Sequence, residues 1–241
     1  RFVIDLLKFS RNITFAVNSK LIKIFEKIDK NIKVCDSNNI NEDNFDYQIP
    51  LCSLPYFLNI EKLDDIKYYK LNINLDKSPE KIIDRKKYNV GISFSGNRKY
   101  FLDKYRSIPI ENFKNILNIE NINFYKLSKE SSEQSEKIKS YPNLFDLGER
   151  SFYEISNDMT KLDLVISSDT SIIHLAGILN IRSILLLNYN SDWRWFDDNK
   201  STIWYPSIKI LKQNKFDDWT NVFSELEDFL KNFLLDKKKP E

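Results

Sequence analysis

The chain has 241 residues, room for one large or two small domains, and its 37 Lys and Arg nearly cancel 35 Asp and Glu to leave a formal +2. That balance excludes the basic surplus by which a protein captures a phosphate backbone, so no nucleic-acid partner is expected; 41% hydrophobic and 14% aromatic residues exclude wholesale disorder. No apolar run of about 18 residues can span a bilayer, and Cys35 and Cys52 are too few for a disulfide framework and lack metal-site spacing, so a reduced, cytoplasmic setting is expected.

The opening stretch is apolar at Phe2, Leu6 and Phe9 and reads as the end of a helix. A short strand at 13–17 follows. Ser19 then caps a helix through about Ile28, apolar at Leu21, Ile22, Ile24, Phe25 and Ile28. Residues 32–35 and 47–51 read as two more short strands around a polar turn at 38–44. Such an alternating layer should begin with a strand, whereas this one begins with a helix, so its first strand is expected upstream of Arg1. Residues 76–87 read as linker plus a short helix started at Pro79. A second alternating unit has strands at 89–94, 123–127, 143–146, 162–167, 183–188 and 208–211. Its helices fall at 110–117, 130–140, 151–160 and 171–179, with a last one at 219–235. Strand and helix at this pitch make a doubly wound domain, with ligands expected at the carboxyl ends of its strands. The expected division is therefore a partial α/β domain over 1–75, a linker over 76–88, a complete domain over 89–214 and a C-terminal helix and tail over 215–241.

Three segments fall at that rim. The first runs from strand 162–167 through Ser168-Asp169-Thr170-Ser171 into a helix carrying His174, the chain's single histidine. Free amides and the dipole at a helix start favour an anion, and Thr170 or Ser171 can add a hydroxyl and His174 a donor. The same residues equally suit a plain helix cap with a packed histidine. The second, Val90 to Asn97, runs a buried strand into Ser95-Gly96-Asn97, where Gly96 permits close backbone approach or positive φ; Arg106 follows as a fork of donors for a diphosphate. An ordinary turn with a surface arginine fits as well, because no G-x-G-x-x-G or G-x-x-x-x-G-K-[ST] loop is present. The third, Asp192-Trp193-Arg194-Trp195, with Trp204 nearby, can stack a base or sugar and bind hydroxyls or phosphate, or else simply pin a long loop. No D-x-D pair, clustered Cys and His, or G-x-S-x-G elbow appears, which favours chemistry without metal, redox cofactor or serine nucleophile.

With these segments in order, the chain resembles GT-B glycosyltransferases of the heptosyltransferase-like kind, family 9-like, and more closely the glycosyltransferase domain found behind tetratricopeptide repeats. The matching pieces are Gly91 to Asn97, Arg106-Ser-Ile-Pro109, Asn123 to Lys129, Ser168 to Gly177, Asp192 to Trp195 and Trp204-Tyr-Pro206. The resemblance implies two Rossmann-like domains facing a cleft, the N-terminal one lacking its first strand. It implies a nucleotide-sugar co-substrate with no other cofactor, bound at Ser95, Gly96, Asn97, Arg106, Ser168, Asp169, Thr170, Ser171 and His174, with Lys129, Asp192, Trp193 and Arg194 as further contacts. Ser128 stands where the relatives usually carry Gln. Transfer in that family inverts the anomeric centre without metal, to a glycan, lipid-linked or protein hydroxyl, in cell-surface polysaccharide or glycoconjugate synthesis, with peripheral membrane contact compatible. The acidic base lies in a Gly-Asp loop that nothing here matches, so it is expected upstream of Arg1 and the catalytic residue stays unassigned. The competing expectations are a non-catalytic module that binds a sugar nucleotide or a partner, and a nucleotide-sugar epimerase, against which a lone His174 argues.

Overall fold

The computed structural model describes residues 2–72, 84, 86–127, 137–196 and 200–236. The chain is α/β, with a two-stranded and a six-stranded sheet, both parallel. In the first, β1 (Ile13–Val17) pairs with β2 (Ile32–Asp36) in register Phe15 to Val34. Two single-turn helices flank it, α1 (Phe2–Asp5) and α2 (Ile22–Phe25), and a third, α3 (Leu54–Phe57), follows. Val3, Ile32 and Leu54 form the centre of this small core.

Two expectations for this part are corrected. Asn18, not Ser19, is the cap before α2: its side chain accepts the Lys20 N–H, and Ser19 already lies in the 3-10 turn Ser19–Leu21. The strand expected at 47–51 does not form. Tyr47, Ile49 and Leu51 do alternate, but all three are exposed, Tyr47 at 94%, and Pro50 has no N–H to give a ladder. A period of two produces a strand only where one face is buried.

The six-stranded sheet is made by β3 (Tyr88–Ser93), β4 (Ile122–Lys126), β5 (Leu144–Asp146), β6 (Leu164–Ser168), β7 (Ser183–Leu187) and β8 (Ile208–Lys212). Their order across the sheet is β5-β4-β3-β6-β7-β8, every pair parallel. This is the Rossmann order, in which the chain first winds outward one way from β3 and then the other way from β6. The predicted helix at 130–140 lies mostly outside the described residues, as does the one expected from Pro79.

Alternation along the strands separates the two faces. Val90, Ile92, Leu164, Ile166, Ile184 and Leu186 meet one layer. After α4 (Asp103–Arg106), that layer takes Phe113 from the turn Ile110–Phe113 and Ile116 and Leu117 from α5 (Lys114–Leu117), which continues it. On the other face, Val165 meets Met159 of α6 (Phe152–Met159) and Ile172, Leu175 and Ala176 of α7 (Ser171–Ile178). Helix α8 (Thr220–Asp236) turns Val222, Leu226, Leu230 and Phe233 inward at spacings of three and four onto the first face. Each such side chain contributes about 1.5–3 kcal/mol of burial. Ser151 and Glu154 form a reciprocal capping box that starts α6.

The first part of the chain is held against the second. Ile24 of α2 lies in the same apolar cluster as Met159, Ile172 and Leu175. The Leu71 N–H donates to the Ile178 carbonyl at 2.8 Å and the Tyr68 hydroxyl to the Gly177 carbonyl at 3.0 Å. Gly177 is needed for space, because the Tyr205 ring occupies the place a Cβ would take.

Candidate functional site

The strand order places the crossover between β3 and β6, and in sheets of this order ligands ordinarily lie beyond the carboxyl ends of the two strands whose connections diverge. The loops at that crossover are Phe94–Asn97 after β3 and Asp169–Thr170 between β6 and α7. Arg106 joins them. Its Nη1 donates to the Asp169 carbonyl at 2.8 Å, its Nε to Asp103 Oδ1 at 3.0 Å, and Tyr100 lies against its guanidinium 4.8 Å from ring centre to Cζ.

Gly96 is the second close approach. A Cβ there would strike Asp103 Oδ1 and come within 2.8 Å of Arg106 Nη2, so the residue needs to be glycine for space. Its φ is negative, which removes positive φ as the reason. The Gly96 N–H donates to Ser107 Oγ at 3.0 Å, and Ser107 in turn donates to Asp103 Oδ2 at 2.8 Å. Ser95 is buried next to it. Asn97 turns away to a local duty, its side chain accepting the Lys99 N–H at 3.0 Å.

At the start of α7 the sequence left an anion site and a plain cap as alternatives. Thr170 is the N-cap: its Oγ1 accepts the Ile172 N–H at 3.4 Å and lies 3.2 Å from Ser167 Oγ, so this hydroxyl is engaged within the protein. Of the four amides a helix start leaves without an intrahelical partner, that of Thr170 goes to the Ser168 carbonyl and that of Ile172 to Thr170 Oγ1, and those of Ser171 and Ile173 remain. Ser171 is exposed. Ser168 is fully buried, and its hydroxyl has no hydrogen-bond partner; the same holds for Ser93 at the end of β3. The two adjacent crossover strands thus each end in a buried hydroxyl without a partner.

His174 sits one turn into α7. Its ring stacks on Trp195 with centroids 5.1 Å apart, its Nδ1 is 3.0 Å from the Tyr205 hydroxyl, and its Nε2 faces Asp169 Oδ1 at 3.9 Å. Asp169 is 6% exposed. Burial pushes its carboxyl above the ordinary value; Trp195, Arg194 and Arg106 oppose that shift and Asp192 adds to it. The Trp195 indole N–H reaches no partner in hydrogen-bond geometry but lies near enough to favour the ionised carboxylate.

The segment after β7 therefore reaches the same place. Asp192 caps the turn Trp193–Trp195 by accepting the Arg194 N–H, and Arg194 Nη2 lies 3.3 Å from Asp192 Oδ2. The three tryptophans have different settings. Trp195 is fully buried under His174, so it is core and not a stacking platform. Trp204 donates from its indole to the Arg194 carbonyl at 2.7 Å and pins the loop, and Trp193 stands 72% exposed. Lys129 and Ser128 lie outside the described residues.

The structure thus brings together Arg106, Asp169, His174, Arg194 and Asp192 from the segments that follow β3, β6 and β7, whereas the Asn97 side chain and the Thr170 hydroxyl are spent on local turns. Sequence reasoning missed Asp103 and Tyr100, which hold Arg106. The available signal was an acid three residues before the arginine. Among the described residues no group of three His, Cys, Asp or Glu side chains is placed to hold a metal ion, and no helix is long and apolar enough to cross a membrane.

No protein-family model matches the chain, and neither does any curated protein. Solved structures do. Escherichia coli heptosyltransferase WaaC with ADP is 15% identical over 66% of this chain and 46% of its own, with a TM-score of 0.47. The same enzyme with ADP-2-deoxy-2-fluoro heptose is 13% identical over 66% of this chain and 45% of its own, at 0.46. E. coli ADP-heptose lps heptosyltransferase II is 11% identical over 82% of this chain and 57% of its own, at 0.41. The chain spans about half the length of these proteins.

Proposed function

We propose that this chain is the donor-binding part of a metal-independent, inverting glycosyltransferase of the kind associated with tetratricopeptide repeats. It would transfer a sugar from a nucleotide-sugar to a hydroxyl of a glycan or protein, in cell-surface polysaccharide or glycoconjugate synthesis. One observation carries the reading: Arg106 bridges the loops after β3 and β6 at the crossover of a Rossmann-ordered sheet, beside the start of an eight-residue helix. That combination supplies a fixed cation and outward amides where a dinucleotide-type ligand ordinarily lies.

In this reading the diphosphate takes the Ser171 and Ile173 amides, the Ser171 hydroxyl and the Nη2 edge of Arg106. His174 donates from the side opposite Tyr205. As the glycosidic bond breaks, charge grows on the leaving diphosphate, and donors already fixed in place stabilise it without reorganising. A carboxyl biased toward its neutral form, as burial biases Asp169, repels the incoming anion less than an ordinary aspartate would. Exposed Trp193 is the aromatic surface offered to a base or sugar. The base that deprotonates the acceptor is not assigned to any of these residues.

The test is a thermal-shift screen with ADP, GDP and UDP and their sugars, repeated on Arg106→Ala. At a hundredfold excess over Kd a ligand adds about 2.7 kcal/mol to the folded state. One nucleoside diphosphate should raise the melting temperature of the wild type by several degrees and that of the variant far less. A flat screen refutes the reading.

A further inference from the structure

We propose that Asp103 is a positioning residue for the donor diphosphate, acting wholly through Arg106; this rests on the donor-site reading above. Asp103 is 4% exposed, and both its oxygens are engaged inward: Oδ1 accepts Arg106 Nε at 3.0 Å, and Oδ2 accepts the Ser107 hydroxyl at 2.8 Å. With each oxygen accepting a bond inside the protein and the residue 4% exposed, its effect on binding is indirect. That effect is to lock an otherwise flexible side chain. With Nε on Asp103, Nη1 on the Asp169 carbonyl and Tyr100 against the guanidinium, the fork has one orientation, and its Nη2 end rests against Gly96. Ser107 extends the lock to the β3 loop by accepting the Gly96 N–H, so one carboxylate sets the arginine and the loop beside it.

A guanidinium held this way loses little freedom when an anion arrives, which is where preorganised sites gain affinity. The Asp103 charge subtracts from the long-range attraction of Arg106 for phosphate. A fixed fork outweighs that loss at contact distance, because directional charge-assisted bonds depend on geometry more than on net charge.

The experiment is a double-mutant cycle read by calorimetry with ADP, and with GDP and UDP in parallel, on wild type, Asp103→Ala, Arg106→Ala and the double variant. AMP serves as the monophosphate control and circular dichroism melting as the fold control. Asp103→Ala is expected to bind the diphosphate about tenfold more weakly, in keeping with one charge-assisted bond. The double variant should bind no more weakly than Arg106→Ala, and the preference for ADP over AMP should fall with either change. Asp103→Asn keeps an acceptor for Nε and should recover part of the loss; it replaces the alanine variant in the cycle if that one does not fold. Additive losses, or equal weakening of ADP and AMP, would show that Asp103 only supports the fold and would overturn the inference. A wild type that binds none of the three diphosphates instead removes the donor-site reading itself, and the two failures are told apart on the first titration.

Discussion

Replacing Gly96 by alanine tests the crossover site most directly, because the added methyl group enters a space three groups share. Its Cβ would strike Asp103 Oδ1, lie 2.8 Å from Arg106 Nη2 and 3.2 Å from its Cζ. Both are ends of side chains, which ordinarily move at little cost, but here each is tied. Asp103 holds two hydrogen bonds, and Arg106 holds one to Asp103 and one to the Asp169 carbonyl. Relief therefore means breaking at least one charge-assisted bond in a site where Arg106 is 22% exposed, or straining the backbone. Overpacking costs about 1–3 kcal/mol and a lost charge-assisted bond about 1.5–3; since the movement that relieves one incurs the other, the total is about 2–4 kcal/mol. For a chain of this size that lowers the melting temperature by roughly 5–15 °C. Nucleoside diphosphate binding should weaken with it, since Arg106 leaves its place. Gly148→Ala is the control: Gly148 has φ of +75° and nothing within 4 Å of an added Cβ. It should cost about 1–2 kcal/mol of backbone strain and leave nucleotide binding untouched. Melting and titration of the two variants decide the matter. A Gly96→Ala protein that melts within a degree of wild type and binds ADP, GDP or UDP equally well would refute the idea of a tight Gly96–Asp103–Arg106 lock.

Two further outcomes follow from polar groups elsewhere in the domain. Burial raises the Asp169 carboxyl above its ordinary 3.8, so the folded state holds this proton more tightly than the unfolded one, and the residue's contribution is fully present below that value and lost as pH rises through the folded one. Asp169→Asn should therefore gain in melting temperature relative to wild type as pH is raised from about 4 toward neutral; a difference that is flat or falls with pH refutes the assignment. Ser151→Ala removes the hydroxyl that caps α6, losing its bonds from the Glu154 N–H and to Glu154 Oε2, while the backbone N–H at 151 still donates to Glu154. A loss of about 1 kcal/mol in urea unfolding is expected, and an unchanged midpoint would mean the capping box contributes nothing.

The six-stranded sheet was legible because its central strands β6 and β7 are nearly continuous apolar runs bounded by polar loops, and burial on both faces leaves such runs little alternative to a parallel layer. The first layer was less so. Tyr47, Ile49 and Leu51 carry the alternation of a strand, yet Tyr47 is almost wholly exposed; the pattern lacked a neighbouring strand, and pairing is a tertiary property that no local period encodes. The site divides in the same way. Sequence could say that Ser168 to Ser171 sit where a strand turns into a helix, and that Arg106 follows a glycine loop, since both depend on chain order alone. It could not say which hydroxyl remains for a ligand. Thr170 and Asn97 are spent on turns two residues away, a local geometry that suits either use, whereas the freedom of Arg106 depends on Asp169, 63 positions along the chain. Trp195 and Trp193 make the point most sharply. They lie on the same three-residue turn, and one is buried against His174 while the other stands in solvent, because a 3-10 turn directs successive side chains apart. Residue type thus picked out the loops at the crossover, and the division between groups engaged within the protein and groups left exposed was decided by contacts between distant segments.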